Sequence, residues 1–250
     1  MRPTLVEWLE QGPFGLAMSS GFFSFFAHTG MLLALRERGL APAHVAGSSA
    51  GALVAGAWAA GMEPDALADT LAGLSRADFW DPGLGAGLLA GTKFDRLLRG
   101  ILPVTTLEQC RVPVRISAFD ILKRRTAVLD RGDLPAAIRA SCAVPGMFQP
   151  VWISGRPYWD GGILDRPGLE GVPPGRVLFH HIVSRSPWRR ASSPALRLPR
   201  RPGLVSLALD GLPRSGPFRL DEGRRALAAA RLATARALEL PIEDDVVRAS

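Results

Sequence analysis

The segment that most limits how this chain can fold is HVAGSSAGALVAGAWAAG, His44 to Gly61. His44-Val45-Ala46 reads as a strand, and the run after Gly51 holds only small and apolar residues, as a buried helix requires. Gly47-Ser48-Ser49-Ala50-Gly51 must then turn the backbone sharply from extended to helical. A serine at such an apex needs small neighbours, because larger ones would strike the adjoining backbone. The expected unit is a strand, a tight elbow at Ser49 and a helix that stops at Gly61.

The same strand-to-helix alternation recurs. GLAMSSGFFSFF leads into AHTGMLLALRERGL, where Leu32, Leu33 and Leu35 lie on a helix that Gly39 ends. Residues 112–130 alternate as two strands joined by a basic turn at Lys123 to Arg125, followed by a helix from about Leu134 to Ser141. Val151-Trp152-Ile153 and Tyr158-Trp159 flank the turn Ser154-Gly155-Arg156-Pro157, which delivers Asp160-Gly161-Gly162 to a strand end. Val177 to Val183 reads as a further strand, and Asp221 to Leu240 as a closing helix with Leu227, Ala230, Leu232, Ala235 and Leu238 on its apolar side. This is the pattern of a layered α/β domain, and 250 residues suit one such domain, 1–250, with a single core. The Pro-, Ser- and Arg-rich stretch 184–217 reads as an irregular loop region within it, and glycine-rich 81–92 as a flap or a connector.

Charge narrows the partners. The net charge is +7, and Lys93 and Lys123 are the only lysines among 30 basic residues. Arginine suits bidentate phosphate contacts, although a coding bias toward arginine gives the same composition. Arg185, Arg189, Arg190, Arg197, Arg200 and Arg201, with Trp188 among them, form either an anionic-surface patch or a solvated loop. No nucleic-acid-binding signature accompanies them, no G-K-[ST] occurs and no G-x-G-x-x-G follows a strand, so neither nucleic acid nor nucleotide is expected as a partner. Acidic residues in MRPTLVEWLEQG argue against a signal peptide, and no apolar run is long enough to span a bilayer. The expected location is the cytoplasm, with peripheral contact at a membrane. Cys110 and Cys142 fit neither a disulfide framework nor a zinc site, so buried free thiols are expected, with no metal and no cofactor.

Gly47-Ser48-Ser49-Ala50-Gly51 fits the G-x-S-x-G pattern of a catalytic serine, with a small-residue turn for close helix packing as the alternative, and a serine nucleophile requires a base. Chain order allows a triad of Ser49, Asp160 and either His180 or His181, and it equally allows a dyad in which Asp160 acts alone. His28 and His44, the other histidines, fit structural positions, and His180 and His181 end an apolar strand where a ring can face the core.

Three blocks in order resemble the patatin-like phospholipases: LAMSSGFFSFFAHTGMLLALRERG, GSSAG at Gly47 to Gly51, and LPAAIRASCAVPGMFQPVWISGRPYWDGG ending at Gly162. The resemblance covers residues 14–185. It implies a three-layer α/β/α sandwich with a central mostly parallel sheet, and a Ser49–Asp160 dyad that uses no histidine. It also implies an oxyanion hole from the N–H groups of Gly21, Phe22 and Ala50. The implied substrate is a lipid ester, hydrolysed through an acyl-enzyme as by a phospholipase A or lysophospholipase. In that role Asp160 is both base and acid, and partial desolvation beside Tyr158 and Trp159 would raise its pKa toward neutrality. Asp120 is expected to support a turn and Asp165 to line the cleft. The first block departs from the family: Ser19 and Ser20 replace loop glycines, Ser24 a basic residue and Phe25 a glycine. An inactive lipid-binding relative of the same fold is therefore the rival from a different class, with Phe22, Phe23, Phe25 and Phe26 either lining an acyl-chain site or buried in the core.

Overall fold

The computed structural model describes residues 2–183 and 197–250. Its elements are α1 (Leu5–Glu10), β1 (Gly15–Met18), α2 (Phe25–Glu37), β2 (His44–Ser48), α3 (Ala50–Ala59), α4 (Pro64–Gly73), β3 (Gly87–Leu89), α5 (Thr92–Ile101) and β4 (Val114–Asp120). There follow β5 (Arg125–Leu129), α6 (Leu134–Cys142), β6 (Gly146–Phe148), β7 (Val151–Ile153), β8 (Arg156–Asp160), β9 (Val177–Ile182), β10 (Leu204–Leu209), α7 (Leu220–Leu238) and β11 (Val246–Ala249). The fold is α/β, with a central mostly parallel sheet flanked by helices.

The sheet runs β11-β10-β9-β1-β2-β4-β8-β7, with β5 also paired to β4. From β11 to β4 every pair is parallel, and β5, β7 and β8 add antiparallel pairs at the far side. Side chains alternate along each strand. Leu16, Met18, Val45, Leu178, Val205 and Leu207 enter one core with the helices, while Ala17, Ala46, Val177, Phe179 and Leu204 pack on the other face beneath Leu169, Val172 and Leu198. Helix α3 is buried along all ten residues, which is why it carries no charge.

Three readings change in the folded chain. The stretch 184–217 is not irregular throughout: Leu204–Leu209 is a buried parallel strand between β9 and β11. Its run LVSLAL holds no Gly or Pro, and burial on both faces removes the polar alternation that marks a half-exposed strand. Arg185, Trp188, Arg189 and Arg190 lie outside the described residues. The buried stripe of α7 is Gly223, Ala226, Ala230, Ala233, Thr234, Ala237 and Leu238, so Ala230 and Leu238 are buried as expected, while Leu232 is exposed and Leu227 and Ala235 are only half-buried. Close crossing of α2 selects small residues here, since a Cβ on Gly30 would lie 2.2 Å from the Leu227 carbonyl oxygen. Finally, residues 81–92 include β3, which pairs with β6 in a separate two-stranded sheet. Both cysteines are free and half-buried.

Candidate active site

Strand β4 brings the serine and the acid together. Along one of its edges β2 runs parallel to it, with Ser48 opposite Ser117, and along the same edge β8 runs antiparallel, with Asp160 opposite Ala118. The other edge of β4 is taken by β5. Two strands thus advance toward each other and stop at adjacent β4 positions, one releasing the chain at Ser49 and the other at Asp160. Ser49 Oγ donates to Asp160 Oδ2 at 2.7 Å, and the second carboxylate oxygen accepts the Gly162 N–H at 2.8 Å. Asp160 is buried.

The elbow is sterically dictated. Ser49 has φ 54° and ψ −120°, outside the ordinary regions for a residue with a side chain, at a cost of about 1–3 kcal/mol. A Cβ on Gly47 would lie 2.4 Å from the Gly51 carbonyl carbon, and one on Gly51 would lie 2.1 Å from the Met18 carbonyl oxygen. Bonds around the apex hold the strained backbone. The Ser49 N–H donates to Ser141 Oγ at 2.8 Å, Ser141 Oγ donates to the Ser117 carbonyl at 2.6 Å, and the Cys142 thiol donates to the Ser49 carbonyl at 3.2 Å. Burial, and then the Asp160 charge, hold the Cys142 pKa well above that of an ordinary thiol, so the group stays protonated.

The acid loop is equally tight, since a Cβ on Gly161 would lie 2.1 Å from the Ser117 carbonyl oxygen. Behind it Asp165 is a brace: its buried carboxylate accepts from Ser117 Oγ at 2.6 Å and from the N–H groups of Gly168, Leu169 and Glu170. Those bonds fasten residues 165–170 across the sheet, where Gly168 packs on the Gly47–Ser48 backbone. Asp120 caps its turn through the Lys123 N–H. Ser141 enters the sequence reading only as the end of a helix and part of a block; its bonds cross between elements and leave no local pattern.

The loop after β1 completes the site. It leaves the sheet where β1 has β2 on one side and β9 on the other, the kind of position beyond strand C-termini at which α/β sheets form clefts. It touches both partners: the Met18 carbonyl abuts Gly51, and Ser20 Oγ lies 2.6 Å from where a Cβ of Gly162 would be. The N–H groups of Gly21, Phe22 and Ala50 find no acceptor among the described residues. Of the four phenylalanines, Phe26 is fully buried, Phe23 and Phe25 are half-buried, and Phe22 is 54% exposed.

The histidines stand behind the loop. His28 Nε2 lies 2.8 Å from the Ser19 carbonyl, His28 Nδ1 lies 2.8 Å from His180 Nδ1, and the Ser19 N–H donates to the His180 carbonyl. Burial lowers the pKa of His28 to about 4 and that of His180 well below the ordinary value, so both rings are neutral near pH 7. A carbonyl can only accept, so His28 carries its proton on Nε2 and His180 carries its own on Nδ1. His181 faces the other side of the sheet against Phe179, its pKa lowered to about 3 by burial and then by Arg166, His28 and Arg248. His44 lies across Gly15, where a Cβ would come within 2.1 Å of its Nε2.

Among the described residues no three His, Cys, Asp or Glu side chains group so as to hold a metal ion, and no helix is long and apolar enough to cross a membrane. The family model for patatin-like phospholipase matches residues 16–172. Two NTE family proteins of Mycobacterium tuberculosis are 40% identical over 153 residues and 30% identical over 155 residues; each alignment takes in 60% of this chain, and 42% and 26% of the relative. Lysophospholipase NTE1 of Mycosarcoma maydis is 29% identical over 160 residues, 60% of this chain and 8% of that protein. The chain thus spans less than half the length of these relatives. The crystal structure of VipD from Legionella pneumophila superposes with a TM-score of 0.63 at 16% identity, covering 90% of this chain and 66% of that one, a likeness of fold. With the family model matching well over half of its length, this chain belongs to the patatin-like phospholipase family.

Proposed function

We propose that the protein hydrolyses lipid carboxylic esters through a Ser49–Asp160 dyad and an acyl-enzyme. The observation that carries this reading is the 2.7 Å bond from Ser49 Oγ to Asp160 Oδ2 at the meeting of two strand ends. Asp160 takes the hydroxyl proton as Oγ attacks the ester carbonyl, and the N–H groups of Gly21, Phe22 and Ala50 receive the oxyanion. The tetrahedral intermediate collapses as Asp160 returns the proton to the departing alcohol. Water, deprotonated by Asp160, then attacks the acyl-serine; the fatty acid leaves and Ser49 Oγ takes the proton back from Asp160. The direct serine–carboxylate bond favours the dyad over a histidine triad, in which the serine would bond an imidazole. The family and the lysophospholipase relative support a phospholipid or lysophospholipid as the substrate class.

The test is hydrolysis of short and long p-nitrophenyl esters and of lysophospholipid micelles by the wild type, Ser49→Ala and Asp160→Asn, with folding checked by circular dichroism. Turnover lost in both folded variants is the expected result. A folded wild type inactive on all three substrates would instead indicate the lipid-binding pseudoenzyme, which the departures at Ser19, Ser20, Ser24 and Phe25 favour. Turnover that survives Asp160→Asn would remove the dyad.

A further inference from the structure

Large aromatic side chains normally leave water, so an exposed group of them at one place is informative. Phe22 is 54% and Phe218 is 70% exposed. They belong to two sets of contacting rings, drawn from three distant segments and joined through the chain neighbours Phe79 and Trp80. Phe22 packs edge-on to Phe23 with ring centres 5.0 Å apart, Phe23 meets Phe79 at 5.8 Å, and Trp80 meets Phe218 at 5.7 Å. Ser215 Oγ donates to the Phe23 carbonyl at 3.0 Å, tying the loop before α7 to the loop after β1.

The charge around this group is mixed, with a basic excess. The Arg76 guanidinium lies 5.7 Å from the Trp80 ring and 5.1 Å from that of Phe218. Arg76, Arg214 and Arg219 are exposed and form no ion pair with a described residue. Of the nearby carboxylates, Asp221 pairs with Arg224, while Asp78, which caps Ser75, and Asp81, which accepts the N–H groups of Gly91 and Lys93, keep their charge; Arg76, Arg214 and Arg219 outnumber these two.

We infer that this face seats the protein on an anionic phospholipid bilayer, with Phe22 and Phe218 at the boundary between headgroups and acyl chains and the three arginines among the phosphates. Exposed aromatics interleaved with arginines in excess over the unpaired carboxylates match such an interface. Phe22 also lies in the loop whose Gly21 and Phe22 N–H groups are proposed to receive the oxyanion, which ties this face to the candidate site. The inference rests on the proposed lipid-ester hydrolysis for its purpose, while binding itself is independent of turnover.

The experiment is co-sedimentation with phosphatidylcholine vesicles with and without phosphatidylglycerol, in a Ser49→Ala background that leaves the vesicles intact. Phe218→Ser and the triple replacement of Arg76, Arg214 and Arg219 by glutamine are each added to that background. Binding should require phosphatidylglycerol and weaken with salt. Each change should lower the partition coefficient by about tenfold or more. The same changes in active protein should leave hydrolysis of a short soluble ester within about twofold. Absence of binding to the anionic vesicles, or undiminished binding by the variants, overturns the inference. So does a dimer dissolved by Phe218→Ser with vesicle binding unchanged, which would make the face a contact with a second copy. Binding without ester turnover would refute the hydrolase alone, and turnover without binding would refute this surface alone.

Discussion

The elbow at 47–51 and the loop at 19–24 both leave a strand of the same sheet and enter a helix, but they are held in opposite ways. At the elbow the constraint is backbone against backbone: the atoms that exclude a Cβ from Gly47 and Gly51 are main-chain atoms of the elbow and of Met18. In the loop the constraint is side chain against side chain. A Cβ on Gly21 would meet the Ser24 side chain, at 2.2 Å from Oγ, and the Ser19 carbonyl is held by the buried His28–His180 pair. Steric necessity of the first kind admits one solution, whereas side-chain support of the second kind can be redesigned. The expected departures at Ser19, Ser20 and Ser24 fall in the part held the second way, and the glycines of the elbow in the part held the first way.

The largest effects are expected at the proposed Ser49–Asp160 pair. Ser49→Ala and Asp160→Asn should each lower kcat by at least about a thousandfold in folded protein. Ser49→Gly should be equally inactive yet melt higher than Ser49→Ala, because glycine accepts the φ of 54° without strain. The contrast itself is tested next. Gly51→Ala should abolish activity and cost several kcal/mol of stability by chemical denaturation, and no side-chain change elsewhere should rescue it, because its obstacle is the Met18 carbonyl.

His28→Leu leaves the Ser19 carbonyl and the His180 Nδ1–H unpartnered. It should lower kcat per titrated active site by roughly tenfold with KM little changed, as expected for misplaced oxyanion donors. His28→Gln, which keeps a donor for Ser19, should recover much of that loss; equal kcat in wild type and leucine variant would make the pair merely part of the core. The histidines also set an acid limit. A His28 pKa lowered from 6.5 to about 4 means that the unfolded chain takes up its proton first as the pH falls. Stability is therefore unaffected by this group above pH 6.5 and is lost between pH 6.5 and 4. At about 1.4 kcal/mol per unit this is roughly 3 kcal/mol from His28 alone, and it should appear as a falling Tm that His28→Gln flattens. The smallest effect is expected at Gly21→Ala, a modest loss of kcat that Ser24→Gly restores in a double-mutant cycle.

Much of this molecule was legible before folding. The elbow, the α2 and α3 helices, the β4–β5 pair and the hairpin leading to Asp160 follow from glycine placement and from apolar runs of strand or helix length, which are local properties. The turn residues Ser154 and Gly155 both have positive φ, as a two-residue hairpin connection requires. What stayed hidden depends on partners distant in the chain. β10 is a strand because β9 and β11 flank it, and the alanine face of α7 is chosen by its close crossing with α2. Ser141 and Asp165 look like ordinary polar residues until Ser117 comes between them. The sequence by itself determined that Ser49 stands on a sharp turn and that Asp160 ends a strand, because steric exclusion and hydrophobic periodicity act over a few residues. Only the tertiary structure decided that β2 and β8 share one edge of β4, and it is that pairing, made across more than a hundred residues of chain, that places hydroxyl and carboxylate within hydrogen-bond distance.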